Sequence, residues 1–440
     1  MKKTSFFVSL TFILVIILLN GCATTKVDKA NGQKPTKIMT TEKNNFPIPP
    51  YAKYLKDKKI CLDPGHGGDG HIPGYKAGPT GVREAEVNLR VALQLKSWLE
   101  ECGAKVYMTR TTDIAVSLNQ RTEYANSCGA DYFLSMHHNA ISNPSTNFTS
   151  TWYHAEVDYS HLCLDMARYI QDGVADALGL EQRAMVPLKS DYYVYPDAGF
   201  AVLRNTRIPT VLCEASFHSN PEEEQRINNP EYNKREAYGY FIGLAKFFYS
   251  GVPRYEVLSP SKSIKNRTPE ITVKINDGLN SRLILEDSLK LKLDGSDIPY
   301  IYDRSSGTVN SLITKPLQNN YHSIEVLYMN LNKTSAYPDK FVFQVVPEVH
   351  TISMDVSPFV LPNDGQAIAG IKLTVKDDEN NPVADGTPIE LASQQMRFSS
   401  STVYTLNGEA LAYVIASQDT GVFTITAHNQ QASCVAQIRV

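Results

Sequence analysis

Between Lys58 and about Ser250, short apolar runs suited to strands alternate with longer helical patterns, and after Pro253 no helical pattern of any length follows. That switch of grammar limits the available folds more than any other feature. Alternation is how a sheet covered by helices reads, whereas an unbroken series of short strands needs a sandwich or barrel. The first strand is Lys59-Ile60-Cys61-Leu62, ending at Asp63-Pro64. A helix is expected from Glu84 to Glu101, because Val87, Val91, Leu95 and Trp98 form one stripe and Gly103 supplies a stop. After a strand at Lys105 to Thr109, Ser117 and Gln120 make a capping box for a second helix that ends at Gly129. Strand Asp131 to Met136 leads into His137, and strand Thr210 to Cys213 leads into Glu214. Helices near Ser160 to Leu178 and Glu231 to Tyr249 complete the unit.

Beyond Pro253, Ile271, Val273 and Ile275 alternate with polar residues, as do Leu289, Leu291 and Leu293, then Ile371, Leu373 and Val375, then Phe423, Ile425 and Ala427. This is the pattern of half-buried antiparallel strands. Two sandwiches of roughly 90 residues each fit the spacing, close to immunoglobulin-like size. The expected fold class is therefore α/β: a helix-covered mixed-sheet domain at 51–252, followed by two all-β immunoglobulin-like sandwiches at 260–347 and 348–440.

The N-terminus carries an address. Lys2 and Lys3 precede an apolar run from Phe6 to Leu19, and small residues follow, which reads as an export signal over residues 1–21. The run is shorter than the roughly 20 residues that span a bilayer. Leu19-Asn20-Gly21-Cys22 resembles the lipobox of bacterial lipoproteins, which implies acylation of Cys22 and a lipid anchor in a bacterial envelope membrane. Residues 22–50 are rich in Thr, Lys, Asn, Gly and Pro and read as a tether that reaches on the order of 30 Å. A formal charge of −3, spread along 440 residues, offers no basic face for nucleic acid. Six cysteines besides Cys22 lack the CxxC spacing of a zinc knuckle and read as small buried thiols, although an exported chain could also pair them.

Polar residues capable of holding a metal follow three strands: His66, His137 and Glu214. Open α/β sheets bind ligands at the carboxyl ends of their strands, so residues far apart in sequence meet there. Glu84 opens the first helix on the stripe of Val87, Val91 and Leu95, and so faces inward. Two imidazoles, one carboxylate and a water make a catalytic zinc site, which leaves a second carboxylate as base. Gly65, Gly67 and Gly70 match the spacing of a dinucleotide fingerprint, but Pro73, Gly74, Gly78 and Pro79 forbid the helix that it requires. Asp69 and His71 are competing ligands by type.

Several motifs extend this set: Asp63-Pro64-Gly65-His66-Gly67-Gly68, Glu84 with Asn88-Leu89, Thr109-Arg110 with Asp113, Arg121, and Ser135-Met136-His137-His138-Asn139-Ala140. Val202-Leu203-Arg204 and Glu214-Ala215-Ser216-Phe217-His218-Ser219-Asn220-Pro221 complete it. With them, the segment from Lys58 to Tyr249 resembles zinc-dependent N-acetylmuramoyl-L-alanine amidases of the amidase 3 family. The resemblance implies a zinc ion held by His66, Glu84 and His137, with Glu214 as the catalytic carboxylate, acting on peptidoglycan outside the cytoplasm. The family usually has Leu-Gly where Ala215-Ser216 stands, and His138 fills a variable slot. The stretch Gln182 to Phe200, with Tyr192, Tyr193, Tyr195 and Pro196, reads as a loop facing substrate. The final module resembles invasin-type repeats, which implies spacing, or contacts with the wall or proteins. The alternatives are a non-catalytic peptidoglycan-binding or adhesive lipoprotein, and a zinc peptidase cutting within the stem.

Overall fold

The computed structural model describes residues 46–155, 161–180, 188–281 and 283–440. The export segment, Cys22, the tether as far as residue 45, and the first part of the Gln182–Phe200 stretch lie outside the described residues. Among those described, no helix is long and apolar enough to cross a membrane.

The first body is a six-stranded sheet built from β1 (Lys59–Pro64), β2 (Lys105–Met108), β3 (Tyr132–Asn139), β4 (Ser150–Tyr153), β5 (Leu188–Ser190) and β6 (Thr210–Phe217), in the order β2-β1-β3-β6-β4-β5. β2, β1, β3 and β6 run parallel, whereas β4 is antiparallel to β6 and β5 is parallel to β4, so the sheet is mixed. Alternate residues of the central strands serve opposite faces. Ile60, Leu62, Leu134, Met136 and Val211 pack under helices α1 (Glu84–Glu101), α3 (His161–Leu178) and α6 (Pro230–Tyr249). Cys61, Phe133 and Leu212 pack against Ala125 of α2 (Leu118–Ser127) and Val202 and Leu203 of α4 (Ala201–Arg204). Cover on both faces is why these strands read as nearly continuous apolar runs.

Helix boundaries follow local chemistry. The Ser117 hydroxyl accepts from Gln120 N–H while the Gln120 side chain accepts from Ser117 N–H, the reciprocal cap expected for α2. Asn220 and Asn229 cap α5 (Pro221–Ile227) and α6, each with proline at the first helical position. α3 and α6 approach closely because Gly173 faces Gly239 and Gly243. A Cβ on Gly173 would lie 2.4 Å from the Gly239 carbonyl oxygen.

Two sandwiches follow. In the first, a sheet of Ser296–Asp297, Ile284–Leu293, Tyr321–Asn330, Phe341–Val345 and Ser263–Ile264 faces a sheet of Ile301–Asp303, Thr308–Leu312, Glu270–Asn276 and Arg254–Ser259. Ile271, Val273, Ile275, Leu291 and Phe343 fill its core. The second pairs Thr351–Ser357, Ile368–Lys376, Glu409–Ile415 and Arg397–Phe398 with Thr402–Tyr404, Pro388–Ala392, Val422–His428 and Ser433–Arg439. Ile371, Leu373, Val375, Phe423 and Ile425 are its interior.

The first sandwich is packed on the floor of the α/β sheet, where the parallel strands begin. Tyr337 joins the core beneath the sheet and its hydroxyl donates to the Asp131 carbonyl at 3.1 Å. Ser335 N–H donates to Asp165 on α3 at 2.8 Å, and the Asn330 amide donates to the Ser250 carbonyl at 2.8 Å.

One expectation about position is overturned. The described part of the tyrosine-rich segment follows β5, which runs parallel to β4 and therefore away from the edge where β1, β3 and β6 end. Tyr192, Tyr193, Tyr195 and Pro196 thus lie toward the floor and do not face substrate at that edge. The Asp191 carboxylate pins this turn by accepting from Ala155 and Phe200 N–H and by meeting the His154 ring at 2.9 Å.

Candidate metal centre

The upper edge of the sheet gathers the site. His66 leaves β1 with φ of +57°, in the left-handed region that a residue with a side chain occupies only when its surroundings enforce it. Two buried arginines supply the enforcement. Arg121 donates to the carbonyls of Pro64 at 3.0 Å and His66 at 2.8 Å, and Arg110 donates to those of Pro64 at 2.9 Å and Gly65 at 2.8 Å. Asp63 anchors Arg121 at 2.5 Å and accepts from Thr109 and Ser135. The polar residues of the motifs around His66 are therefore the frame of the loop.

His137 and Glu214 sit within β3 and β6, not just after them as expected. Both strands continue for several residues past the sequence-based boundary, with a register irregularity between His137 and Asn139. The two residues are partners across adjacent strands. Gly65 must be glycine because a Cβ there would strike the His137 ring at 2.2 Å.

Glu84, at the start of α1, is where the imidazoles converge. His66 Nε2 lies 3.1 Å from Glu84 Oε2, and His137 Nδ1 lies 3.1 Å from Glu84 Oε1. One donor atom from each of His66, Glu84 and His137 falls within 4.8 Å of the others, and among the described residues this is the only group of three or more metal-binding side chains so placed. His71 instead turns to the Gly68 carbonyl, and neither it nor Asp69 joins the group. Burial opposes ionisation of Glu84, but the hydrogen bonds from His137 and His66 outweigh it and hold the carboxyl well below its usual range.

Glu214 has the opposite electrostatics. Its Oε2 is buried and has no hydrogen-bond partner. Burial first, and the charge of Glu84 second, push its carboxyl up to about 8. An acid raised in the folded state stabilises the fold below its unfolded value, near 4.5, and that contribution is lost as pH climbs through about 8. Metal-free protein should therefore lose stability relative to Glu214→Gln between those limits. The gap should be on the order of a few kcal/mol, since one unit is about 1.4 kcal/mol. Melting both proteins in chelator across the pH range measures it, and a constant gap would contradict the assignment.

Supporting groups emerge whose roles the sequence left unassigned: Asn88, His138 and His218 stand in the motifs, whereas Glu236 and Glu224 lie outside them. Asn88 donates to Glu84 Oε1 at 3.2 Å and meets His138 Nδ1 through its carbonyl oxygen at 2.8 Å, while His138 Nε2 lies 3.2 Å from Glu236 on α6. All four of these residues are buried. Burial pulls the His138 imidazole down, but Glu236 more than offsets it and lifts the ring to about 9. His138→Ala would leave Glu236 charged and unpaired, at a cost of about 3–5 kcal/mol. Both tryptophans, Trp98 and Trp152, lie in the α/β unit, so denaturant titration followed by their fluorescence reads that loss directly. Glu224 clamps the loop above the site by accepting from Thr80 and Val82 N–H at 2.8 and 3.0 Å. His218 is buried, with Nε2 3.7 Å from Glu84 Oε2. Nothing in the run Glu222-Glu223-Glu224, or at a single glutamate in α6, distinguishes these residues from solvated charge.

With this geometry in view, the relatives of the chain are informative. The family model described as N-acetylmuramoyl-L-alanine amidase matches residues 60–246. A germination-specific N-acetylmuramoyl-L-alanine amidase of Bacillus subtilis is 30% identical over 220 residues, which cover 47% of this chain and 86% of that protein. The chain belongs to the N-acetylmuramoyl-L-alanine amidase family. The amidase CwlM of Bacillus licheniformis is 32% identical over 192 residues, covering 43% of this chain and 68% of that one. A solved amidase structure from Clostridium difficile is 27% identical and covers 44% of this chain and 97% of its own, with a TM-score of 0.38. The family match takes in the amidase sheet and ends before the first sandwich.

Proposed function

We propose that this chain hydrolyses the amide between N-acetylmuramic acid and the L-alanine that opens the peptidoglycan stem, using zinc held by His66, Glu84 and His137 and Glu214 as proton carrier. The observation that carries the reading is the convergence of three donor atoms within 4.8 Å, with Glu214 paired across the sheet with His137. Two nitrogens and one carboxylate oxygen suit zinc better than magnesium or calcium, which prefer all-oxygen sets. Three protein donors also leave a coordination position open. When bound, zinc would lower the pKa of a water in that position to about 7 and polarise the scissile carbonyl.

The side chains divide the remaining work. Arg110 and Arg121 hold the backbone at His66, and Asn88 orients Glu84 from below. Glu214 removes a proton from the attacking water and delivers it to the departing nitrogen, because an amine leaves poorly as an anion. A carboxyl whose Oε2 is buried and accepts no hydrogen bond is placed to take up and return that proton. No nucleophilic side chain is required, so no covalent intermediate forms.

The domain plan accompanying this chemistry has an export signal at 1–21, a tether at 22–50, the amidase at 51–252 and sandwiches at 260–347 and 348–440. Acylation of Cys22 would fix the enzyme to a membrane with peptidoglycan in reach of the tether. Digestion of purified sacculi, followed by mass spectrometry, tests the reaction. Free stem peptides beginning with L-alanine are expected. Fragments cut within the stem would support a peptidase instead, and an intact wall with bound protein would support the non-catalytic alternative.

A further inference from the structure

Away from the metal centre, a cleft of about 910 Å³ lies at the junction of the two sandwiches. Its size is that of a ligand site. The junction is ordered by polar contacts. Asn319 donates to the Asp377 carboxylate at 2.6 Å and to the Pro382 carbonyl at 2.9 Å, and Asn320 donates to Asp385 at 3.2 Å. A second recess of about 340 Å³ adjoins the first and shares Asp385 with it. Asn319 lines this recess and is only 7% exposed, and its carbonyl oxygen is buried without a hydrogen-bond partner.

The walls define what would fit. Tyr321, 64% exposed, presents a ring at the cleft beside Gln344, and Gln430 and Gln431 line it from the turn that follows Val422–His428. Charge disfavours anions. Lys265 is paired with Glu348 and His428 lies against Glu390, while Asp385 adds a further negative group and no arginine lines the larger space. An exposed aromatic ring with amide donors and acceptors, on an acidic background, matches an uncharged sugar polymer, whose apolar ring faces stack on aromatics while hydroxyl and acetamido groups pair with amides.

We propose that the sandwich junction is a second binding site, for an uncharged N-acetylated oligosaccharide, which holds glycan strands while the amidase unit works on their stems. The choice of an N-acetylated sugar rests on the cell-wall reading above. The cleft shares no residue with the metal centre.

The test is calorimetric titration of the full chain with a soluble N-acetylglucosamine oligomer, which lacks a stem and so offers the amidase no bond to cut. Saturable binding is expected, roughly tenfold weaker in Tyr321→Ala, the size of effect usual for an aromatic anchor, and weakened also in Gln431→Ala. Release of stems from a small soluble muropeptide should be the same in both variants as in the wild type. No saturable binding, binding unchanged in both variants, or preference for an anionic polymer such as polyglycerol phosphate would overturn the proposal. Failure of the zinc mechanism would show instead as absent stem release with oligosaccharide binding intact, so the two readings fail separately.

Discussion

Glu214→Gln should leave a protein that folds and binds zinc with unchanged stoichiometry yet releases stem peptides about 10²–10⁴-fold more slowly, the usual contribution of a positioned general acid–base group. The substitution keeps the shape of a side chain whose Oε2 is buried and without a partner. It removes only the capacity to take and return a proton. It also relieves the repulsion between Glu214 and Glu84 that helps raise the Glu214 carboxyl, so the variant should melt no lower than the wild type. Stem release from sacculi and zinc content, measured on the same preparation, separate this outcome from unfolding. Wild-type turnover in the variant would remove Glu214 from the reaction.

Loss of a donor atom should act differently. His137→Ala should cut zinc affinity by more than the roughly 10–100-fold that follows loss of a residue which merely orients a ligand, and should reduce stem release to background. The surroundings sharpen the expectation. Gly65 lies against the His137 ring and has no side chain of its own to fill the gap that the substitution leaves. Glu84 would also lose one of the two imidazole hydrogen bonds that hold its carboxyl low. Chelator competition gives the affinity, and the same assay on Glu214→Gln should show no change. An affinity equal to that of the wild type in His137→Ala would place the ion elsewhere.

How much of this was legible beforehand depended on periodicity. The helix at Glu84–Glu101 and the capping box at Ser117 could be read because a long stripe and a reciprocal cap leave a local signature. β4, β5, α4 and α5 could not, being only 3–7 residues long and too short to show a period. The direction of β4 was equally hidden, since side-chain alternation is the same for parallel and antiparallel pairing. The tyrosine segment was read as facing substrate from its length and its aromatic residues, which say nothing about the edge of the sheet on which it lies. The meeting of His66, Glu84 and His137 was foreseeable from strand ends, a helix stripe and family resemblance. The framework beneath them was not, because Glu236, Glu224 and His218 gain their meaning only from neighbours brought close by the fold.

The central claim is that one ion is gripped by donors drawn from β1, α1 and β3. Diffraction recorded on either side of the zinc absorption edge, from crystals of the full chain, tests it most directly. A single anomalous peak should lie about 2.0–2.2 Å from one nitrogen each of His66 and His137 and from a Glu84 oxygen. A peak coordinated by other residues, or active protein with no peak at this edge of the sheet, would contradict it.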